Sequence, residues 1–454
     1  MSQLTAIKLK IEQMISMGLY EEARICLEDY HKLCQTDVDY YSMSGCLYMA
    51  EGKLVDAEES FTEGIALDSA NFDLLYNLCY LKRQMGNDAE ALTYYYELKL
   101  RNYETPFGYE ELIANSRDKA SNELRVVHGT MEIANQMRAL TNGIAAKGHY
   151  AKTLCYYPNY LKYHADYSFD IRQYADPVEQ SKRIAAEILS EFDIFHFHYG
   201  MTLTLDQSDL PVLKDIGKKV VMHHWGSDVR LLSKALEVNP YIKVKSTDEE
   251  AIKRNLEHLS RYIDHGIIAD RELYLFVKDY YKNIHFIPQA INLEEYPYMP
   301  SSKKKKLLLV HAPTSPEIKG SQYIINAVEK LRPHYNIEFK LIQGMSHEEA
   351  KQWYQQADLI VDEILCGAYG LLAIECMSMG KPVISWIPDY MKEHYPAELP
   401  LLSANPDTIS QVIKNALDNR DALPEIGRRG RAYVEKYHDV NRVSEQLIAL
   451  YRSL

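Results

Sequence analysis

The spacing of apolar and polar residues divides the chain near residue 122. Before that point the sequence reads as amphipathic helices. After it, short apolar runs alternate with helical stretches, the mark of a mainly parallel sheet. Leu124–His128, Phe192–His198, Lys219–His223, Gly266–Ala269 and Ile284–Ile287 read as buried strands of a first series. Gly129-Thr130 follows the first of them, and the next helix runs through Ala145 to a left-handed stop at Gly148. A second series comprises Leu307–Val310, Glu338–Ile342, Leu359–Val361 and Pro382–Ser385, closed by a long helix over 431–453. The expected fold class is α/β, two doubly wound domains preceded by an all-α segment.

The helical segment repeats. Gly18, Gly52 and Gly86 are 34 residues apart, and each is followed by an alanine (Ala23, Ala57, Ala91) and then by Leu27, Phe61 or Tyr95. This pattern resembles the tetratricopeptide (TPR) repeat, a pair of helices whose units stack into a solenoid. Glycine and alanine are expected where paired helices cross closely, with the larger residue filling the space between units. The resemblance implies a protein-binding surface over residues 1–105. Residues 106–121 read as a connector, and Ser301–Lys306 as a solvated linker.

Composition narrows the function classes. The chain has 454 residues, 51 Lys+Arg against 64 Asp+Glu, and a net charge of −13. That balance argues against general nucleic-acid binding. Residues 1–105 hold 9 basic and 18 acidic side chains, so most of the excess sits in the repeats. No stretch reaches the ~20 apolar residues of a membrane span, and the N-terminus lacks an apolar signal core. Seven scattered cysteines without a C-x-x-C pair suit reduced thiols, and a cytoplasmic location is expected. His196 and His198 alternate on one strand without a nearby carboxylate–histidine set, so no metal site is expected.

The most informative stretch runs from Cys366 to Val383. Tyr369-Gly370 breaks the chain, Leu371 and Leu372 start a helix, and Glu375 lies a turn inside it. Helix N-termini offer unpaired N–H groups to phosphate, and a carboxylate one turn on can accept from a ribose diol. Glu375-Cys-Met-Ser-Met-Gly-Lys-Pro-Val383 resembles the second half of the signature of retaining family-4 glycosyltransferases, which have the GT-B fold. In the first half, the position of the family's sugar-contacting glutamate holds Gly367, with Asp362 and Glu363 just upstream. His311–Gly320 resembles the family's phosphate segment. Lys319-Gly320 matches it, while Thr314 and Ser315 lie where the family carries an arginine. His223-His224-Trp-Gly-Ser-Asp resembles the family's His-Gly-Ser-Asp, leaving open which histidine faces the cleft.

The resemblance implies a donor site of Gly129, Thr130, Thr314, Ser315, Lys319, Gly320, Gly344, Tyr369, Gly370, Leu371, Leu372 and Glu375. It implies chemistry at His223, His224, Lys319 and Glu375, with no metal and no cofactor beyond the nucleotide-sugar substrate, expected to be UDP-linked. The implied domains are 122–290 and 291–430, with 431–454 returning to the first. The acceptor is open between a protein docked on the repeats and a glycan or small molecule. A non-catalytic scaffold is the reading from another class, and a homo-oligomer is compatible with either.

Overall fold

The computed structural model describes residues 3–34, 36–113, 122–158, 163–300 and 305–454. Residues 114–121 of the expected connector and 301–304 of the expected linker lie outside these. The chain forms two compact units. One comprises Met1–Asn122, Ile171–Asp193 and Leu203–Gly217; the other comprises Glu123–Asp170, Ile194–Thr202 and Lys218–Leu454.

In the helical unit, Gln3–Ser16, Tyr20–Leu33, Val38–Ala50, Leu54–Leu67, Phe72–Gln84 and Asp88–Leu100 make three successive helix pairs. Ala23, Ala57 and Ala91 are fully buried, and Leu27, Phe61 and Tyr95 nearly so. The repeated glycines do a different job from the one expected. Gly18, Gly52 and Gly86 have φ of +75°, +78° and +80°, with open space where a Cβ would stand. They turn the chain left-handed between the helices of a pair, where a Cβ is disfavoured. The close crossing belongs to Gly45, whose Cβ would lie 2.2 Å from the ring of Phe61. The helix Pro177–Glu191 clusters with this unit rather than with the strands flanking it in sequence, and Arg101 of the last repeat pairs with its Glu179 at 3.0 Å.

The α/β unit holds two parallel sheets. The first contains β1 (Arg125–Thr130), β2 (Tyr150–Cys155), β3 (Tyr167–Ser168), β4 (Ile194–His198), β5 (Lys219–His223), β6 (His265–Ile268) and β7 (Asn283–Phe286), in the order 3-2-1-4-5-6-7. The second contains β8 (Leu307–His311), β9 (Ile337–Leu341), β10 (Leu359–Val361), β11 (Val383–Ser385) and β12 (Leu402–Ser403), in the order 12-11-10-8-9. Each order reverses once, between β1 and β4 and between β8 and β10. Loops diverge at such a switch point and leave a crevice beyond the carboxyl ends of the strands. The short strands β3 and β12 and the polar-interrupted β2 carry little apolar signal and were not expected.

Two expectations change here. β1 continues through Thr130, so Gly129 and Thr130 lie inside the sheet rather than in the loop after it. The helix expected over 431–453 is two helices, Leu423–Tyr437 and Val440–Ser453, broken at His438 and restarted by Asp439, which accepts from the Asn441 N–H. The first packs on the second-sheet core through Tyr433 and Val434. Only the second returns, through Val443, Leu447 and Tyr451, to the first-sheet core around Val126 and Ile144.

Gly427 sits where the helix Leu423–Tyr437 meets the backbone at Gly380: a Cβ there would be 1.9 Å from the Gly380 carbonyl oxygen. Backbone cannot swing away as a side chain can, so Gly427→Ala is expected to cost at least about 1–3 kcal/mol. A lowered thermal midpoint checks this; an unchanged one would show that the helix packs less closely.

Candidate functional site

The carboxyl ends of β8 and β10 place Thr314, Lys319, Asp362 and Glu363 together. Lys319 is in an ion pair with Asp362, whose side chain is fully buried. Burial alone would lower the Lys319 pKa, but the neighbouring charge of Asp362 holds it above the ordinary range. The second oxygen of Asp362 accepts the Gly370 N–H at 3.3 Å, at the start of the helix Leu371–Ser378. One carboxylate therefore fixes both the lysine and the entry of that helix. The Leu371 and Leu372 amides stay unpaired among the described residues, as first-turn donors do.

Glu375 accepts from the Tyr296 hydroxyl at 2.8 Å and lies 2.9 Å from His347 Nε2. Both contacts fall on Oε1, which leaves Oε2 for another donor. Burial alone would lower the His347 pKa, but its bond to Glu375 raises it overall. Tyr296 and His347 stand far from Glu375 in sequence and carry no local motif.

Two cavities meet at Leu371. One, of about 380 Å³, is lined by Glu132, Thr314, Lys319, Gly344, His347 and Glu375 among others. The other, of about 260 Å³, is lined by His224, Arg230, Lys245, Asp270, Glu363 and Leu371 among others. Arg230 makes two 2.7 Å bonds to Glu272. Lys245 is exposed, borders both cavities, and has no ion-pair partner among the described residues. Nothing in its local sequence marks it. Burial raises Glu132 and Glu363 to about 7, and Asp270 to about 6. The Glu363 carboxyl faces the smaller cavity and makes no hydrogen bond among the described residues.

The structure brings together much of the expected set. Thr314, Ser315, Lys319, Gly344, Leu371, Leu372 and Glu375 line one or both cavities. Gly129 and Thr130 do not, because they are held in β1; the Thr130 hydroxyl donates to the Thr202 carbonyl at 3.1 Å. Glu132 and Ile133 stand at the cavity instead. Gly320 (φ +79°) turns the chain against Ile364, which a Cβ would meet at 2.7 Å. Tyr369 borders the smaller cavity, but its hydroxyl lies 3.0 Å from both Tyr433 and His438. Gly370 also borders it, with its amide committed to Asp362. His224 is the histidine at the cavity wall, with Nδ1 2.7 Å from Asp228 and Nε2 2.7 Å from the Tyr281 hydroxyl.

His223 is buried elsewhere, in a cluster with His128, His196 and His198. The bonds there run in one direction. Trp225 Nε1–H donates to His198 Nδ1 at 3.1 Å, and an indole nitrogen can only donate. His198 therefore carries its proton on Nε2 and gives it to His128 Nδ1 at 3.1 Å. His128 Nε2 donates to the Tyr451 hydroxyl at 3.3 Å, which donates to His196 Nδ1 at 2.5 Å. His196 Nε2 reaches His223 Nδ1 at 3.2 Å, and His223 Nε2 is left without a partner among the described residues. The nitrogens of His128, His196 and His198 lie within 4.8 Å of one another, a metal-triad spacing. Every ring-nitrogen lone pair in the series already accepts a proton, so that spacing is spent on hydrogen bonds.

No family model matches the chain, and no curated protein matches it. Among solved structures it is similar to a sucrose-phosphate synthase from Thermosynechococcus elongatus, with 13% identity and a TM-score of 0.51 over 72% of this chain and 98% of that one. It is also similar to HepE from Anabaena in complex with UDP-glucose (11% identity, TM-score 0.51, 73% and 100% covered). The complex of HepE with UDP and glucose gives 12%, 0.50, and the same coverage. The chain has the GT-B fold. In GT-B terms the two cavities lie at the carboxyl ends of the two sheets, and the histidine chain runs across β1, β4 and β5 of the first.

Burial lowers His128 to about 3 and holds His196, His198 and His223 well below the usual histidine range. Below pH ~6.5 the unfolded chain takes up protons that these rings refuse, so each one lowers stability as pH falls from ~6.5 towards its folded value. Replacing the terminal ring, His223→Gln, should remove about 1.4 kcal/mol per pH unit from that slope between pH 6.5 and 5. Denaturant unfolding of both proteins across this range measures the difference; identical slopes would place His223 in contact with water.

Proposed function

We propose that this chain is a glycosyltransferase that transfers a sugar from a nucleotide diphosphate donor, UDP-linked, to an acceptor hydroxyl. The observation that carries the reading is the convergence on one cleft of Glu375 with a free Oε2, the two unpaired amides at Leu371 and Leu372, and Lys319. Those groups suit a ribose diol and a diphosphate in turn. The likeness in fold to HepE, a protein solved with UDP-glucose, supports UDP as the nucleotide.

In this reading the larger cavity takes the nucleoside and the smaller one the sugar. Lys319 and the helix amides stabilise charge on the leaving diphosphate. Lys319 is already balanced by Asp362, so Lys245 supplies the unmatched positive charge, from the opposite lobe. Glu363 takes the place of the family glutamate missing at Gly367 and receives sugar hydroxyls. His224 is a fixed wall of the sugar cavity rather than a proton carrier, since both its nitrogens are engaged. Transfer with retention and without a metal follows from the family-4 resemblance, and a cytoplasmic location from the seven scattered cysteines, which are free thiols. Among the described residues, no helix is long and apolar enough to cross a membrane. The acidic helix pairs, read as TPR units, would dock a protein acceptor.

Glu375→Ala should weaken UDP binding by about 1.5–3 kcal/mol, roughly 10- to 150-fold, the range for a hydrogen bond to a charged group. Calorimetry with UDP measures this. Equal affinity in the variant would remove Glu375 from ribose binding, and absence of UDP binding to the native chain would overturn the donor reading. Release of UDP from UDP-glucose over many turnovers separates an enzyme from a scaffold.

A further inference from the structure

Trp225 borders the cavity assigned to the sugar, and the histidine series holds it in place. Its indole N–H is spent on His198 Nδ1 at 3.1 Å. The His223 ring covers one of its faces, with centroids 4.1 Å apart and planes 19° from parallel. The loop is pinned as well: one oxygen of the Asp228 carboxylate accepts from the Trp225 and Gly226 amides at 3.0 and 2.9 Å. Trp225 is half-buried, and among the described residues no cation and no ring other than His198 and His223 lies against it. Nothing in the donor reading uses this side chain.

An indole fixed at its edge and covered on one face has its other face left for a guest. That surface is apolar, with negative charge in the π-cloud. Its complement is the flat side of a pyranose ring, where axial C–H groups carry slight positive charge and the hydroxyls point outward at the rim. Because the indole cannot turn, a sugar stacking on it orders no further side chain. The charges around the cavity select further. Arg230 is committed to Glu272 and Lys319 to Asp362, and the donor reading gives Lys245 to the diphosphate. That leaves the Asp270 and Glu363 carboxyls, raised by burial to about 6 and about 7, and no cation for an acidic sugar.

We propose that Trp225 determines donor specificity: its open face is the platform on which an uncharged pyranose stacks, and the carboxyls of the same cavity turn away a sugar acid. The proposal rests on the donor reading above and concerns binding alone, so the course of transfer and the acceptor stand as they were. It also gives the neutral histidines a use at the site. His198 Nδ1 accepts the indole N–H only while it carries no proton itself, and this bond keeps Trp225 in one orientation.

The full chain is titrated calorimetrically with UDP, UDP-glucose and UDP-glucuronate. UDP binding judges the donor reading by itself. Where UDP binds, UDP-glucuronate is expected to bind about tenfold or more weakly than UDP-glucose, since its carboxylate meets like charge. Trp225→Leu keeps apolar bulk but removes the π-face, and should weaken UDP-glucose about 2- to 12-fold with UDP affinity unchanged. Trp225→Phe restores a face and most of that loss. A second readout uses the native chain, whose other tryptophans, Trp353 and Trp386, border neither cavity. UDP-glucose should change the tryptophan emission beyond the change that UDP gives, and Trp225→Phe should abolish the excess. This readout decides the matter if Trp225→Leu does not fold. Equal loss of UDP and UDP-glucose affinity in Trp225→Leu, or no excess emission change, overturns the platform. Equal binding of UDP-glucuronate overturns the selection against sugar acids.

Discussion

The cleft at Leu371 depends on one buried carboxylate. Asp362 binds Lys319 through one oxygen and the Gly370 amide through the other. Removing either partner would leave charge stranded in a dry environment, which is why broken buried pairs cost far more than intact ones contribute. Because Asp362 ends β10 while Lys319 follows β8, the pair ties together the two strands between which the sheet order reverses. The amides of Leu371 and Leu372, and Glu375 one turn further on, take their positions from that tie. The cost is local neutrality at the lysine, which leaves Lys245 as the unpaired cation bordering both cavities among the described residues.

The first lobe is organised on another principle. Its floor is a hydrogen-bonded series of neutral rings rather than an ion pair. The indole of Trp225 sets the direction of every proton in the series, and Tyr451 of the last helix is one of its links. One side of the cleft is thus held by charge and the other by proton order.

Much of this was legible in the sequence, and what was missed has physical causes. Glu375, Lys319 and the helix start at Leu371 lie in contiguous segments whose local geometry follows from glycine placement and the strand-to-helix transition, so their spacing predicts their neighbourhood. Tyr296, His347 and Lys245 reach the site only through tertiary packing, and no local pattern announces them. Gly129 was misplaced because a strand end cannot be fixed to within two residues when the next residues are also compatible with a sheet. His223 and His224 are adjacent and alternate in direction, so an error of one residue exchanges a buried ring for one at the cavity. The repeat glycines were found by their period but given the wrong role, since a period reports recurrence and not backbone conformation.

The helix Val440–Ser453 supplies Val443, Leu447 and Tyr451 to a core whose other members begin at Val126. During synthesis, the lobe that emerges from the ribosome first among the two sheets lacks part of its interior until the helix Val440–Ser453 has been made. That lobe must therefore wait, with apolar surface and unpaired imidazoles open to water, while the second sheet is made. A change at Tyr451 would be felt at His128 in the first strand of the α/β unit, more than 300 residues away along the chain.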